Sequence, residues 1–471
     1  MSFREEKKLR YVSTRGSAPV LEFEDVVLAG LAVDGGLYVP EEYPYFSSGQ
    51  IEAMRGSNYV DLAYQVLKPF VDGAINPDAL KSLINNSYKN FAHPEIAPIK
   101  KLDENIFILE LFHGPTLAFK DFALQVLARL FDYILLKRRQ RITIVAATSG
   151  DTGSAAIEAC LRREAIEIFI LHPKGRVSDI QRRQMTTVKE DNVHNIAVEG
   201  TFDDCQELVK QMFNDPTFRA EQNLSAVNSI NWARIMVQVV YYFFSSLKLG
   251  APGRGIAYSV PTGNFGDIFA GYVATKMGLP IEKLIIATNT NDILSRFMKN
   301  GEMKIKEVIP TLSPAMDIQV SSNFERLLFD LYEGDGQMVK QKMDKFKKSG
   351  KMAVTSGVLE KAKKIFDSCS LNDEGIKNQI LETYEATGLI VDPHTATGVH
   401  AAINCYKENV PIVALSTAHP AKFPDAVKNA IKIKPQLPDH LFDLLNRPEF
   451  FEVLPNNIEV VKSYIRKTAF K

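Results

Sequence analysis

The sequence predicts an α/β protein whose open, mostly parallel sheets follow a separate N-terminal unit. From about residue 96 onward, short apolar runs rich in β-branched residues alternate with segments of helix length. Strands that alternate with helices in this way form parallel sheets covered by helices on both faces. Several runs also end in loops rich in glycine and hydroxyl groups. Because ligands bind at the carboxyl ends of strands in such sheets, we expect the chemistry in these loops.

The elements can be assigned in order along the chain. In residues 1–95 we predict a strand at 11–14, a turn at 34–40 and polar helices after it, and we treat this part as an N-terminal domain. The strands predicted for the sheets are 106–111, 142–146, 166–171, 193–198, 256–260, 284–287 and 412–415. The stretch 300–375 is rich in lysine and lacks strong strands, so we predict a helical insertion there.

The composition is that of an ordinary globular protein. Apolar residues make up 45% and charged residues 24% of the 471 positions, which is typical of chains that bury sizeable cores. Lysine plus arginine equals aspartate plus glutamate at 56 each. Because no net charge attracts nucleic acid or an anionic membrane, we expect neither as a partner, and an anionic ligand must be held by local groups.

Cysteine usage and the lack of targeting patterns favour a cytoplasmic location. The cysteines are far apart and lack the paired spacing of a metal site, so we expect reduced thiols and no bound metal. They are Cys160, Cys205, Cys369 and Cys405. Residues 3–10 are largely charged and do not resemble a signal peptide, and no apolar stretch reaches the length of a membrane span.

Lys120 is a lysine in apolar surroundings. It follows an apolar strand and the turn His113-Gly-Pro-Thr116, and its neighbours include Leu117, Phe119 and Phe122. Two interpretations stay open on this segment alone. An exposed lysine on an amphipathic helix is the more common case, whereas a desolvated amine is the type that forms Schiff bases.

The segment 256–271 contains the strongest candidate for an anion site. A strand leads into Thr262-Gly-Asn-Phe-Gly-Asp267, and a helix pattern follows at once. Glycines allow close approach of a ligand, and the N–H groups of the first helical turn point at it. An ordinary tight turn explains the pattern equally well. The segment has neither the lysine of a Walker loop nor the glycine spacing of a dinucleotide site.

Two further loops carry hydroxyl groups at strand ends. Residues 141–156 hold Thr148, Ser149, Thr152 and Ser154 around two glycines, which exceeds what a helix cap needs. The buried strand near residue 412 ends at Ser416-Thr417.

A polar pair and a histidine pair complete the candidates. Asn231 and Arg234 have the spacing of one helical face. His394 and His400 lack a third ligand nearby, so we do not predict a metal site there.

These loops together resemble the threonine synthases, which are pyridoxal-phosphate enzymes of the tryptophan-synthase-β group (fold type II). The resemblance extends over nearly the whole chain, and the N-terminal extension is similar to that of the bacterial and fungal class. The segments that carry it are 11–16, 34–40, 113–121, 148–153, 184–187, 228–234 and 261–267. It implies two open, mostly parallel sheet domains: a large cofactor domain from 96–140 and 250–471, and a small α/β domain from 141–249.

The resemblance also implies roles for individual residues. Lys120 would bond covalently with pyridoxal phosphate. The cofactor phosphate would be held by Gly263, Asn264, Phe265, Gly266 and Asp267, and Thr417 would offer a hydroxyl to the pyridine nitrogen. Substrate would be bound by Thr148, Ser149, Gly150, Asp151 and Thr152 through its α-carboxylate, and by Asn231 and Arg234 through its phosphate. Related enzymes often have asparagine at position 151, so the role of Asp151 stays open.

The implied reaction converts O-phospho-L-homoserine and water to L-threonine and phosphate, by γ-elimination and then β-addition of water. An alternative is a threonine-synthase-like phospho-lyase that releases 2-oxobutyrate. Pro115, Asn264 and Phe265 favour the synthase. A rival of another class is an inactive small-molecule-binding protein, against which Lys120 argues. Enzymes of this class lead us to expect a monomer.

Overall fold

The computed structural model describes residues 8–71, 73–148, 150–225, 229–405 and 410–470. Within those residues the strands, numbered in chain order, are β1 Tyr11–Ser13, β2 Tyr38–Pro40, β3 Ile99–Lys101, β4 Ile106–Glu110, β5 Ile142–Ala147, β6 Ile166–Pro173, β7 Val193–Glu199, β8 Leu224–Ser225, β9 Ile256–Pro261, β10 Ile281–Thr288, β11 Glu302–Lys304, β12 Lys351–Ala353, β13 Phe366–Ser370, β14 Ile412–Ser416 and β15 Glu452–Pro455. Every strand predicted from the sequence is present.

The helices of the same residues are α1 Phe23–Ala29, α2 Ser48–Ala53, α3 Tyr59–Val71, α4 Pro77–Tyr88, α5 Lys120–Arg138, α6 Asp151–Cys160, α7 Asp179–Thr186, α8 Phe202–Asn214, α9 Pro216–Glu221, α10 Trp232–Lys248, α11 Gly266–Lys276, α12 Ile293–Asn300, α13 Phe324–Leu331, α14 Gly336–Ser349, α15 Ser356–Ile365, α16 Asp373–Thr387, α17 Pro393–Asn404, α18 Pro424–Ile431 and α19 Ile458–Thr468. Within the part of the chain that is described, none of these helices combines the length and the apolar character that crossing a membrane requires.

The first of two compact units is built around a six-stranded sheet. The unit comprises the described residues up to Asn85, His93–His113 and Ser229–Pro435. Its strand order is β13-β10-β9-β14-β4-β3, and all neighbours are parallel except β3 with β4. Because β9 and β14 are parallel neighbours, their carboxyl ends lie at the same edge of the sheet.

The second unit has a five-stranded, wholly parallel sheet. It comprises Asn86–Ala92 and the described residues of Gly114–Asn228 and Gln436–Lys471. The strand order is β15-β7-β6-β5-β8. Helices α8, α9 and α19 contribute Leu208, Phe218 and Val461 to its core, where they pack with strand residues such as Phe169. The continuous apolar strands reflect burial on both faces of the sheet.

The division into units differs from the predicted domain boundaries at several places. The described residues up to Asn85 and the residues 229–249 belong to the first unit. Asn86–Ala92, the residues 114–140 and the described residues from Gln436 onward belong to the second unit, where β15 extends the sheet. The three-part division predicted from the sequence stays a prediction. The stretch 300–375 contains helices α13, α14 and α15 and also β13, which pairs with β10 of the first sheet, and the helical insertion stays a prediction.

The expectation of reduced thiols is correct for only part of the cysteines. Cys160 and Cys205 are free and buried. Cys369 at the edge strand β13 and Cys405 at the end of α17 form a disulfide.

Candidate active site

In the second unit, Lys120 is the first residue of α5. Its side chain is 12% exposed, and its Nζ lies 3.5 Å from Oδ2 of Asp151 and 4.8 Å from the ring centroid of Phe119. Gln181 donates a hydrogen bond of 2.8 Å to the other carboxylate oxygen of Asp151. Of the two interpretations of Lys120, the structure therefore supports the amine that is largely withdrawn from solvent.

The turn before Lys120 is held by Asp121. The carboxylate of this fully buried residue accepts hydrogen bonds from the N–H of Thr116 at 2.8 Å and from its hydroxyl at 2.7 Å. A Cβ on Gly114 would lie 2.5 Å from Asp121, so only glycine fits there. Leu117 has a left-handed backbone with φ of 62°, which is uncommon for a non-glycine residue. The motif thus fixes the start of α5 and, with it, the position of Lys120.

The loop after β5 is closed by its own first threonine. The Thr148 hydroxyl accepts hydrogen bonds of 3.0 Å from the N–H groups of Gly150 and Gly153, so it caps α6. The Thr152 hydroxyl, in contrast, has no hydrogen-bond partner among the residues described. Ser149, the remaining hydroxyl predicted for this loop, lies outside the described residues.

In the first unit, the loop from β9 to α11 has the geometry of an anion cradle. A Cβ on Gly263 would lie 2.8 Å from the carbonyl oxygen of Ala315, so a larger residue does not fit without displacement. Phe265 has a left-handed backbone with φ of 63° and begins α11, followed by Gly266. Among the described residues, none accepts a hydrogen bond from the N–H groups of Asn264 or Phe265.

Asp267 takes part in this loop through its main chain. Its carboxylate accepts hydrogen bonds from the hydroxyls of Tyr241 at 2.5 Å and Tyr242 at 3.1 Å. These bonds commit the side chain to α10. The main chain of Asp267 lies in the first turn of α11.

Thr417 follows β14 at the same sheet edge as the β9 loop. It is 5% exposed, and its hydroxyl has no hydrogen-bond partner in the described part of the chain. The preceding residue, Ser416, is bonded to the Thr395 hydroxyl at 2.9 Å, and Thr395 is bonded in turn to Asp392. The free hydroxyl of Thr417 is therefore a donor or acceptor for a ligand.

His394 organises the loop opposite Gly263. Its Nε2 accepts a hydrogen bond of 3.2 Å from the N–H of Ala315, so Nδ1 carries the proton and donates to Asp392 at 2.7 Å. The described residues contain no group of His, Cys, Asp and Glu side chains suited to hold a metal ion. His394 thus links the main chain of Ala315 to Asp392.

The two residues predicted for the substrate phosphate are in different situations. Asn231 is the N-cap of α10: its side chain accepts from the N–H of Ala233 and donates to the carbonyl of Val27. Arg234 is 5% exposed, its Nε has no hydrogen-bond partner, and no described carboxylate forms an ion pair with it. Burial lowers the pKa of Arg234 to about 10, so its guanidinium remains charged at neutral pH. It is a buried cation suited to an anionic ligand.

Comparison with known proteins agrees with this chemistry along the chain. Residues 10–88 match the family model described as threonine synthase N terminus, residues 93–348 match that of pyridoxal-phosphate dependent enzymes, and residues 395–465 match threonine synthase, C-terminal. The chain is 56% identical to the threonine synthase of Pseudomonas aeruginosa over 459 residues, which cover 97% of this chain and 98% of that protein.

Solved structures give the same result. The pyridoxal-phosphate-bound threonine synthase of Brucella melitensis is 52% identical, with a TM-score of 0.98 over 98% of this chain and all of that chain. The yeast threonine synthase is 42% identical, with a TM-score of 0.93 over 98% of each chain.

Proposed function

The chain belongs to the threonine synthase family, and on that basis we propose that it converts O-phospho-L-homoserine and water to L-threonine and inorganic phosphate. It is a pyridoxal-phosphate-dependent lyase. One observation supports Lys120 as the residue that bonds to the cofactor: its side chain, in the first turn of α5, is only 12% exposed. An amine withdrawn from water is suited to covalent bonding with an aldehyde cofactor.

The groups of the first unit suit the rest of the cofactor. The N–H groups of Asn264 and Phe265 and the amino end of α11 would hold its phosphate, and Gly263 allows the close approach. The hydroxyl of Thr417, which has no partner among the residues described, would bind the pyridine nitrogen. When bound, the cofactor withdraws electrons from the substrate carbons, and a neutral hydroxyl at its nitrogen makes this withdrawal weaker than a carboxylate would.

Lys120 would also carry protons. As a neutral amine it would accept a proton from the substrate Cα, and as an ammonium it would return a proton to a substrate carbon. Asp151, 3.5 Å away, stabilises the charged form, and Gln181 orients the carboxylate. One mobile amine can therefore serve several proton transfers at adjacent carbons.

The α-carboxylate of the substrate would bind at the start of α6. The hydroxyl of Thr152 has no partner among the described residues, whereas that of Thr148 is engaged as a cap and would act by shaping the loop around Gly150. Ser149 remains a predicted ligand. The N-terminal turn of a helix favours an anion at this point.

Arg234 would bind the substrate phosphate. It is a buried guanidinium without a carboxylate partner among the described residues, and such a charge costs several kcal/mol unless an anion pairs with it. The side chain of Asn231 is used to cap α10, so we propose that Asn231 fixes the start of the helix that carries Arg234.

We also propose that the protein acts in the cytoplasm as a monomer, without nucleic acid or a membrane as partner. The balanced charge of 56 basic and 56 acidic residues supports the absence of such partners. Light scattering of the purified protein checks the oligomeric state, and a mass of twice that of one chain would contradict a monomer.

Product analysis tests the function. The purified protein, supplied with pyridoxal phosphate and O-phospho-L-homoserine, should release threonine and phosphate in equal amounts. A phospho-lyase would instead release 2-oxobutyrate without threonine. An inactive binding protein would release neither, and both results would refute the proposal.

A further inference from the structure

Residues 321–323 donate hydrogen bonds to two main-chain carbonyl groups of the β9–α11 loop, the candidate phosphate site. The hydroxyl of Ser321 donates to the carbonyl of Gly263 at 2.7 Å. The main-chain N–H of Asn323 and its side-chain amide both donate to the carbonyl of Asn264, at 3.0 Å and 2.9 Å. Next along this segment, the ring of Phe324 packs edge-on against that of Phe265 at 5.2 Å.

These bonds determine which way the N–H groups of the loop point. In a trans peptide the C=O and the N–H of the same unit point in opposite directions. With the carbonyls of Gly263 and Asn264 directed at Ser321 and Asn323, the N–H groups of Asn264 and Phe265 point away from that segment. Neither N–H has an acceptor among the described residues, so both are available to an anion.

The orientation of the Asn323 amide is set by Arg326. Nη1 of Arg326 donates to Oδ1 of Asn323. Because a guanidinium has no acceptor, this contact identifies the oxygen of the amide and directs its nitrogen at Asn264. Arg326 is itself fully buried, and although burial lowers its pKa to about 9, it remains charged at neutral pH.

The same pair also holds the loop that precedes α10. The amide nitrogen of Asn323 donates to the carbonyl of Ser229 at 3.2 Å, and Nη2 of Arg326 donates to that of Ile230 at 2.6 Å. This loop leads directly to the helix that carries Arg234. Asn323 and Arg326 therefore hold the main chain of the β9–α11 loop and of the loop that leads to the helix of Arg234.

We propose that Asn323, oriented by Arg326, is a positioning residue that turns the N–H groups of the β9–α11 loop toward the cofactor phosphate. Through its bond to the carbonyl of Ser229, Asn323 also holds the loop before α10 at a fixed position beside the β9–α11 loop. The inference rests on the proposed function, since it takes this loop as the phosphate site. Asn323 does not touch the phosphate; it acts through the backbone of Asn264.

The variant Asn323→Asp isolates this role. Aspartate has the same shape and keeps an acceptor for Arg326, but its side chain cannot donate to the carbonyls of Asn264 and Ser229, whereas the main-chain N–H at this position still donates to Asn264. A matched control is Asn192→Asp, because the Asn192 amide donates to the carbonyls of Cys160 and Ile166 in the second unit and does not contact the loop.

The measurement compares two ligands on the full-length apoprotein, followed by absorbance and fluorescence. Pyridoxal phosphate and pyridoxal differ only in the phosphate. For Asn323→Asp we expect affinity for pyridoxal phosphate to fall about tenfold, as for the loss of the side-chain donor, with less than a twofold change for pyridoxal. Asn192→Asp should leave the ratio of the two affinities unchanged.

The outcomes separate this inference from the proposed function. A wild-type protein that binds both ligands equally would refute the phosphate loop itself, and the inference with it. A wild type that prefers pyridoxal phosphate, with the same preference in Asn323→Asp, would refute the inference alone.

If Asn323→Asp does not fold, Ser321→Ala provides the test, because it removes the hydrogen bond to the carbonyl of Gly263. We expect affinity for pyridoxal phosphate to fall about threefold while affinity for pyridoxal is unchanged. Equal losses of affinity for both ligands would overturn the proposal.

Discussion

The Nζ of Lys120 lies 3.5 Å from Oδ2 of Asp151, and the two side chains are only 12% and 9% exposed. Two opposite charges at this distance attract by about 5 kcal/mol at an effective dielectric constant of 20, and by less where water penetrates. This pair gives Asp151 a role that the sequence left open. The carboxylate is a charge partner of the amine that we propose to be catalytic.

Asp151→Asn is therefore expected to reduce kcat about tenfold while the cofactor stays bound, because the charged amine loses its carboxylate partner. Steady-state kinetics together with the visible absorbance of the bound cofactor measure both effects. Gln181→Met, which removes the hydrogen bond that orients Asp151 and an exposed bond from the Ser178 hydroxyl, should cause a smaller loss. Unchanged kcat in Asp151→Asn would show that the ion pair has no part in turnover.

Arg234→Met should raise KM for O-phospho-L-homoserine by roughly 10- to 100-fold, since hydrogen bonds to charged groups contribute about 1.5–3 kcal/mol. Arg234→Lys should recover part of the affinity. Arg129 is a matched control, because burial lowers its pKa to about 10 as well, but its guanidinium is bonded to Gln125. If Arg129→Met raised KM as much as Arg234→Met, the phosphate role of Arg234 would be wrong.

Gly263→Ala tests the cradle. The added Cβ would lie 2.8 Å from the carbonyl of Ala315 and would displace the loop, so we expect at least tenfold weaker binding of pyridoxal phosphate. Gly357→Ala is the control, since a Cβ there meets nothing within 4 Å. Equilibrium titration of the two apoproteins distinguishes them, and equal affinities would contradict the account.

His172 should make stability depend on pH. Burial lowers its pKa from 6.5 to about 4, so the unfolded chain binds more protons between these values. The contribution of neutral His172 to the free energy of unfolding is therefore complete above pH 6.5. It falls by up to about 3 kcal/mol as the pH is lowered toward 4. Urea unfolding of His172→Gln should give a flatter profile over this window, whereas at pH 8 the imidazole is neutral in both states and titration adds nothing. Parallel profiles of the two proteins would contradict this role.

The inner strands of both sheets could be predicted because their residues are buried on both faces, as in Ile166–Pro173. The four edge strands β3, β8, β13 and β15 could not, and β3 and β8 have only three and two residues. Phe366–Ser370 is mostly polar, and Glu452–Pro455 is short and ends in proline, so neither carries the periodic signal of a buried strand. Both are defined by the neighbour with which they pair.

The candidate site also contains residues that a local sequence pattern marks and residues that no such pattern marks. Lys120 and the Gly263 loop have local patterns with a chemical meaning, and the family resemblance makes them candidates, which they remain. Asn323 and Arg326 act on backbone carbonyls that are distant in sequence, and an isolated asparagine in a lysine-rich segment gives no signal of that role. The cap role of Asn231 was likewise ambiguous, because the residue types that cap helices also bind ligands.

The most direct test of the central claim is to reduce the holoenzyme with borohydride and to map the modified peptide by mass spectrometry. Reduction should abolish the visible absorbance and leave a pyridoxyl group on Lys120, and Lys120→Ala should bind the cofactor without a covalent adduct. A pyridoxyl group on another lysine, or an unmodified chain after reduction, would contradict the assignment of Lys120.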